Sequence, residues 1–120
     1  FNTMKPPRSL TIVVDLDDTL IQYSESEGLS PIPGAAQALK ELRSQGHRIV
    51  IYTCRFYIAR TKGKLKEESL FVMQLLNDFG IEFDELHLED KPIADYYIDD
   101  RAIQFKGNWQ ETLEAVKPRD

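Results

Sequence analysis

The 120-residue sequence has little of what marks secreted, membrane or nucleic-acid-binding proteins. Its single cysteine, Cys54, excludes an intrachain disulfide, and the cytoplasm is the expected compartment. The longest apolar run, Leu10 to Val14, is too short to cross a membrane, and the first residues lack the apolar stretch of a signal peptide. The net charge of −5 makes nucleic acid an improbable partner, since such binding neutralises phosphates with excess Lys and Arg.

The sequence does have an alternation of apolar strands and amphipathic helices, with 42% hydrophobic and 29% charged residues. This pattern predicts strands over 10–14, 48–52, 85–88 and 96–98, and a short fifth strand over 103–105. It predicts helices over about 33–45 and 65–79, and a last helix capped by Asn108 and closed by Pro118. We therefore expect one α/β domain over residues 1–120, a single Rossmann-like, doubly wound parallel sheet.

Polar side chains follow the ends of the predicted strands. Asp15-Leu16-Asp17-Asp18-Thr19 follows the first strand, Thr53-Cys54-Arg55 follows the second, and Asp99-Asp100 follows the fourth, with Lys91 just ahead of it. Ligands of open parallel sheets bind beyond the carboxyl ends of the strands, so we expect these groups to converge.

Two acids after one strand are also typical of ordinary turns, because Asp readily bonds the nearby backbone. A turn does not explain the second pair, Asp99-Asp100, at the matching end of another strand. Like charges brought together destabilise a fold unless a cation offsets them. Carboxylate oxygens are ligands that Mg²⁺ prefers, so the sequence predicts a magnesium site here.

These motifs resemble the haloacid dehalogenase superfamily: Asp15-x-Asp17-x-Thr19 after a hydrophobic strand, then Thr53, then Lys91, then Asp99-Asp100. The four motifs occur in the superfamily's order and span nearly the whole chain. An acid two residues after the nucleophile, as Asp17 stands here, is characteristic of its phosphatases. Asp18 occupies a position where many members carry glycine.

The resemblance implies a role for each residue. Asp15 would be the nucleophile that becomes an aspartyl-phosphate, and Asp17 the general acid and base. Thr53 and Lys91 would hold the phosphoryl oxygens, with Arg55 as a further substrate-binding residue. Metal ligands would come from Asp15, Asp17, Asp99 and Asp100, with the backbone carbonyl of Asp17 in the metal shell; which of the last two binds Mg²⁺ directly stays open.

The segments that carry a cap domain in many superfamily members are short here. Residues 22–33 have room only for a hairpin, and residues 53–91 only for one helix and one strand. We therefore expect a capless enzyme whose open site takes a phosphorylated small molecule or glycan, or is covered by a second copy in a homo-oligomer. The segment from Lys91 to Arg101 resembles short phosphatases of capsule and surface-polysaccharide biosynthesis, which suggests a phosphosugar substrate.

Three other functions share part of this motif pattern. A receiver domain has a phosphorylatable aspartate on a similar fold, but it places this residue after the third strand. A non-catalytic binding module on the same scaffold would be free to lose Asp15, Asp17, Lys91 and Asp99. A polynucleotide phosphatase also uses these motifs on an open site, and the acidic net charge disfavours it without excluding it.

Overall fold

The computed structural model describes residues 9–119. Its strands are β1 (Thr11–Val14), β2 (Ile21–Ser24), β3 (Gly28–Pro31), β4 (Arg48–Ile51), β5 (Glu85–Leu86) and β6 (Tyr96–Ile98). Its helices are α1 (Ala35–Ser44), α2 (Cys54–Thr61), α3 (Leu65–Asp78) and α4 (Trp109–Ala115).

Four parallel strands form the main sheet, in the order β5-β4-β1-β6. β1 is central: Val13 lies opposite Val50 of β4 on one side and Tyr97 of β6 on the other. The chain passes outward from β1 to β4 and β5, then returns across the sheet to β6. The strand order thus reverses between β1 and β6, where such folds open a ligand crevice. The predicted α/β fold with a parallel, Rossmann-like sheet is confirmed.

The core lies where β1 and β4 meet the helices. Apart from Thr11 and Arg48 at their first positions, both strands are apolar, and Val14, Ile49 and Ile51 are at most 1% exposed because side chains on both faces are covered. Helix α3 contributes Val72 and Leu76, which are fully buried. The rigid centre of the domain is therefore built around the two strands that carry the first two polar motifs.

The insertion after β1 is small. β2 and β3 pair as an antiparallel hairpin, with Gln22 opposite Ser30, and α1 follows directly. Gly46, at a φ of 93° that side chains rarely adopt, ends α1 as expected. Within residues 9–119 no cap domain is present, as predicted.

Two predictions about local structure were wrong. The segment after β4 holds two helices rather than one, because Thr53 caps a separate helix, α2, which buries Phe56 and Ala59. Residues 103–105 form no strand; Ile103 and Phe105 are 43% and 51% exposed, so they lack the burial that would stabilise a sheet partner. β5 is also shorter than expected and ends at Leu86.

The C-terminal part of the fold is thinly packed. β6 is an edge strand of the sheet, and its three side chains are all exposed. Helix α4 begins at the predicted cap, where Asn108 Oδ1 accepts from the Glu111 N–H at 3.1 Å, but it buries none of its residues. No helix in the described part of the chain is long and apolar enough to cross a membrane.

Candidate active site

A cleft of about 640 Å³ opens at the carboxyl end of the main sheet. The loops after β1, β4 and β6 form it, and Asp15, Thr53 and Asp99 line it from these three loops. A pocket of similar volume beside α3 has a single carboxylate, Glu82, among its lining residues. The chemistry-bearing side chains are therefore concentrated in the first cleft, at the point where the strand order reverses.

Three carboxylates meet in this cleft. One oxygen each from Asp15, Asp99 and Asp100 lies within 4.8 Å of the other two. The sheet itself causes this, since the Asp15 N–H donates to the Ile98 carbonyl at 2.9 Å and extends the pairing of β1 with β6. Asp15 and Asp99 are thereby held at the ends of adjacent strands.

Local contacts orient the two acids after β6. Asp99 Oδ1 accepts from the Arg101 N–H at 2.7 Å, a side-chain contact that stabilises the turn after β6. Asp100 Oδ2 lies 3.4 Å from a guanidinium nitrogen of Arg119 near the C-terminus. Asp100 is the more buried of the pair, while Asp99 is exposed.

The electrostatics of Asp15 reflect this crowding. Burial, together with the negative charges of Asp99, Asp100 and Asp17, raises the pKa of the Asp15 carboxyl from 3.8 to about 6. A hydrogen bond from the Leu16 N–H partly opposes this rise. A cation in the cleft would relieve this repulsion, because an opposite charge nearby favours the ionised form.

The donor set suits a hard divalent cation. One oxygen from each of Asp15, Asp99 and Asp100 lies within 4.8 Å of the other two, so three hard donors face one small volume in which a cation would be held. All three donors are carboxylate oxygens, the type that Mg²⁺ prefers. Asp15, Asp99 and Asp100 could therefore hold the metal that the sequence predicts.

Asp17 lies apart from that cluster and is bound by Arg55. The Arg55 Nε donates to Asp17 Oδ2 at 2.8 Å, and its Nη2 donates to Oδ1 at 2.9 Å. The remaining guanidinium nitrogen, Nη1, lies 3.3 Å from Glu68 on α3. The Asp17 carboxylate raises the pKa of Arg55 above its ordinary value, although partial burial opposes this. Asp17 lines the cleft, whereas Arg55 lines a separate shallow pocket.

Thr53 and Lys91 both line the cleft, in different environments. Thr53 is only 3% exposed, and its Oγ1 accepts from the Arg55 N–H at 3.2 Å, which caps α2. The N-terminus of this eight-residue helix faces the cleft, where its partial positive charge favours an anion. Lys91 is exposed, with Nζ 4.5 Å from the centre of the Tyr97 ring.

Asp18 and Thr19 lie in the turn after β1. Asp18 has a φ of 62°, the left-handed conformation that favours glycine and that Asp tolerates better than most residues. This accounts for the glycine that many relatives carry there. Among residues 9–119, the Thr19 hydroxyl is the one buried side-chain polar atom without a hydrogen-bond partner.

Sequence reasoning missed several residues at the site. Tyr57 and Arg101 also line the cleft, as does Arg60, which donates to the Leu88 carbonyl at 2.5 Å. Arg60 belongs to a basic stretch, Arg60 to Lys66, which by sequence alone is typical of a solvated surface segment. Recognising Thr53 as a helix cap would have placed Tyr57 and Arg60 one turn apart on the same helix face. Glu68 gave no signal, because its contact with Arg55 depends on how α3 packs against α2.

Comparison with known proteins shows the family of this chain. A family model described as haloacid dehalogenase-like hydrolase matches residues 12–77, more than half of the chain. A solved structure of a conserved protein from Bacteroides thetaiotaomicron is 26% identical and covers 89% of this chain and 88% of that one, with a TM-score of 0.58. No curated protein matches. The matched segment, which contains Asp15, Asp17 and Thr53, shows that this chain belongs to the haloacid dehalogenase-like hydrolases.

Proposed function

We propose that this hydrolase is a magnesium-dependent phosphomonoesterase that forms an aspartyl-phosphate on Asp15. The observation that carries the proposal is the cluster of Asp15, Asp99 and Asp100 at the crevice between β1 and β6. Its oxygens suit a hard cation. The capped N-terminus of α2 and Lys91 supply positive charge beside the same cleft for a phosphate group.

The reaction has two steps. An Asp15 carboxylate oxygen attacks phosphorus, a P–O bond forms, the ester P–O bond breaks, and protonated Asp17 gives its proton to the leaving oxygen. Asp17, now a carboxylate, takes a proton from a water whose oxygen attacks the same phosphorus. The bond between phosphorus and Asp15 then breaks, releasing inorganic phosphate and restoring the free Asp15 carboxylate.

The other residues bind and orient the phosphoryl group. Thr53, with a buried hydroxyl, and Lys91 would hold its nonbridging oxygens, as the family resemblance implies. Asp15, Asp99, Asp100 and the Asp17 carbonyl would hold Mg²⁺, which when bound supplies positive charge to offset the charge on the transferring group.

The substrate class rests on the open cleft and the resemblance in the segment from Lys91 to Arg101. We propose a phosphosugar or surface-polysaccharide precursor, because an uncovered cleft of about 640 Å³ admits a substrate that extends into solvent. A homo-oligomer that covers the cleft stays a prediction, and light scattering would test it. A polynucleotide phosphatase is the alternative that a substrate panel must include.

The test is phosphate release from an aryl phosphate, with and without Mg²⁺, by the wild type, Asp15→Asn and Asp90→Asn. Asp90 also lines the cleft but lies outside the three-carboxylate cluster, so its variant controls for loss of a negative charge. We expect metal-dependent turnover that Asp15→Asn reduces by at least about 10⁴-fold, since the asparagine amide cannot act as the carboxylate nucleophile. Turnover by Asp15→Asn at the wild-type rate would refute the mechanism. Wild-type inactivity across phosphosugar and oligonucleotide panels would refute the activity.

A further inference from the structure

Arg55 contacts Asp17 with the two nitrogens of one edge of its guanidinium group. The distances are 2.8 Å and 2.9 Å, and each nitrogen contacts a different carboxylate oxygen. This forked geometry fixes the plane of the carboxylate as well as its distance. The side chains of Arg55 and Asp17 are 29% and 40% exposed, so water screens the pair less than it screens ion pairs on the open surface.

The backbone prepares this contact from both sides. Asp17 follows β1 and Arg55 follows β4, and these strands are hydrogen-bonded neighbours in the sheet. The Thr53 hydroxyl accepts from the Arg55 N–H, which fixes the first turn of α2 from which the guanidinium extends. The pair is therefore set by the ends of two buried strands rather than by a mobile loop.

Glu68 holds the other edge of the guanidinium. Its carboxylate lies 3.3 Å from Arg55 Nη1, is 27% exposed, and stands in the first turn of α3. Arg55 thus lies between two carboxylates on different elements, and its side chain borders a separate shallow pocket that contains Glu68 but not Asp15. Each guanidinium nitrogen thus already donates one hydrogen bond within the protein, and Arg55 is not among the residues that line the cleft where a substrate phosphate would bind.

We propose that Arg55 is a positioning residue that acts through Asp17, holding the carboxyl group that serves as acid and base, rather than a residue that binds the substrate. Glu68 supports it by fixing the guanidinium from the opposite side. The inference rests on the proposed function, because it assigns Asp17 the proton transfers of phosphomonoester hydrolysis. It differs from the sequence-based expectation that Arg55 contacts phosphate.

The test compares Arg55→Lys with the wild type on an aryl and an alkyl phosphate, each also in the Asp17→Asn background. Lysine keeps the positive charge but cannot form the two-pronged contact. Arg43→Lys is the matched control, because Arg43 also lies between two carboxylates, Glu82 and Asp84, but makes one contact with each and does not line the cleft.

We expect Arg55→Lys to lower kcat for the alkyl phosphate by about tenfold or more, with a smaller loss for the aryl phosphate and KM within about twofold. The poor alkoxide leaving group needs the proton more than a phenolate does. In the Asp17→Asn background the same substitution should change neither rate by more than about twofold, since the group it positions is gone. Glu68→Gln should act in the same direction with a smaller loss.

Other kinetic outcomes overturn the inference. A raised KM, or a loss that persists in the Asp17→Asn background, would mean that Arg55 contacts the substrate. An unchanged or increased rate in Arg55→Lys would mean that the contact does not help catalysis. If Asp15→Asn abolishes turnover while Arg55→Lys leaves it intact, the proposed function stands and this inference fails.

If no phosphate ester is hydrolysed, a stability measurement tests whether the contact between Arg55 and Asp17 forms in solution. Urea midpoints of Arg55→Gln, Asp17→Asn and the double variant form a cycle that reports whether the two side chains interact in solution. Non-additive shifts support the positioning contact, and additive shifts refute it independently of any activity.

Discussion

The two parts of the chain differ sharply in how well they are packed. Within residues 12–77, the part that the family model matches, Ile49 and Leu76 are completely buried. In the C-terminal part Trp109 and Leu113 are 69% and 63% exposed, and β6 has no neighbour on its outer edge among residues 9–119. The difference is one of burial rather than composition, because both parts are rich in large apolar side chains.

The candidate site draws on both parts. Asp15, Asp17 and Thr53 stand at the ends of strands in the tightly packed region, whereas Asp99 and Asp100 follow the exposed edge strand. The three-carboxylate cluster therefore joins the tightly packed region, through Asp15, to the exposed C-terminal part, through Asp99 and Asp100. A bound cation would link them and should stabilise the C-terminal part most, since binding to the native state raises its stability.

The largest expected difference between the two parts is in the loss of stability when a large apolar side chain is truncated. Leu76→Ala should lower the free energy of unfolding by about 2–5 kcal/mol, because it leaves a cavity beneath the sheet. Leu113→Ala on α4 should cost less than about 0.5 kcal/mol, since its side chain is already largely in solvent. Urea denaturation of both variants checks this. Comparable losses of unfolding free energy in the two variants would show that α4 is packed in solution, and the two parts would then not differ in packing.

Asp15→Asn should raise stability in the absence of metal, in a pH-dependent way. The pKa of Asp15 rises from 3.8 to about 6 on folding. Its favourable contribution to the free energy of unfolding is therefore fully present below a pH of about 4 and is lost as the pH rises through about 6, where the carboxyl ionises in the folded protein. Asparagine does not ionise, and at pH 7 the variant should be more stable by about 1–2 kcal/mol, after allowance for solvent screening of a partly exposed group.

Thermal unfolding in EDTA at pH 4 and pH 7 measures this difference. It should vanish at pH 4 and reverse sign when saturating Mg²⁺ is added at pH 7, because the metal stabilises the wild type more. Asp90→Asn is the control and should show neither change. Equal stability of Asp15→Asn and wild type at pH 7 would contradict the crowding of charge at the three-carboxylate cluster.

The smallest expected effect compares two helix caps. Thr53→Ala removes the hydroxyl that caps α2 and should lower the free energy of unfolding by about 1 kcal/mol, whereas Thr53→Ser should restore most of it. Asn108→Ala removes the equivalent cap of α4 and should leave global unfolding nearly unchanged, because α4 buries no residue. Local hydrogen exchange in α4 should nevertheless increase. A global loss from Asn108→Ala equal to that from Thr53→Ala would refute the difference between the two parts.

The strands and the first polar motif could be predicted because they depend on local patterns. After their first residues, β1 and β4 are short runs of Ile and Val typical of buried parallel strands, and the acids directly follow β1. Helix α2 was not predicted, since a capping threonine after a strand also suits a turn and only burial of Phe56 distinguishes the two. The expected strand over 103–105 failed for the opposite reason: its apolar pattern is present, but it pairs with none of the strands in the described part of the chain.

By itself, the sequence determined which chemical groups follow which strands, because strand periodicity and the order of motifs are properties of the chain alone. The tertiary structure decided which of these groups meet. Pairing of β1 with β6 brought Asp15 to Asp99 and Asp100, and packing of α2 against α3 placed Arg55 between Asp17 and Glu68. Such contacts join side chains far apart in the chain, and their geometry exists only once strand order and helix packing are formed.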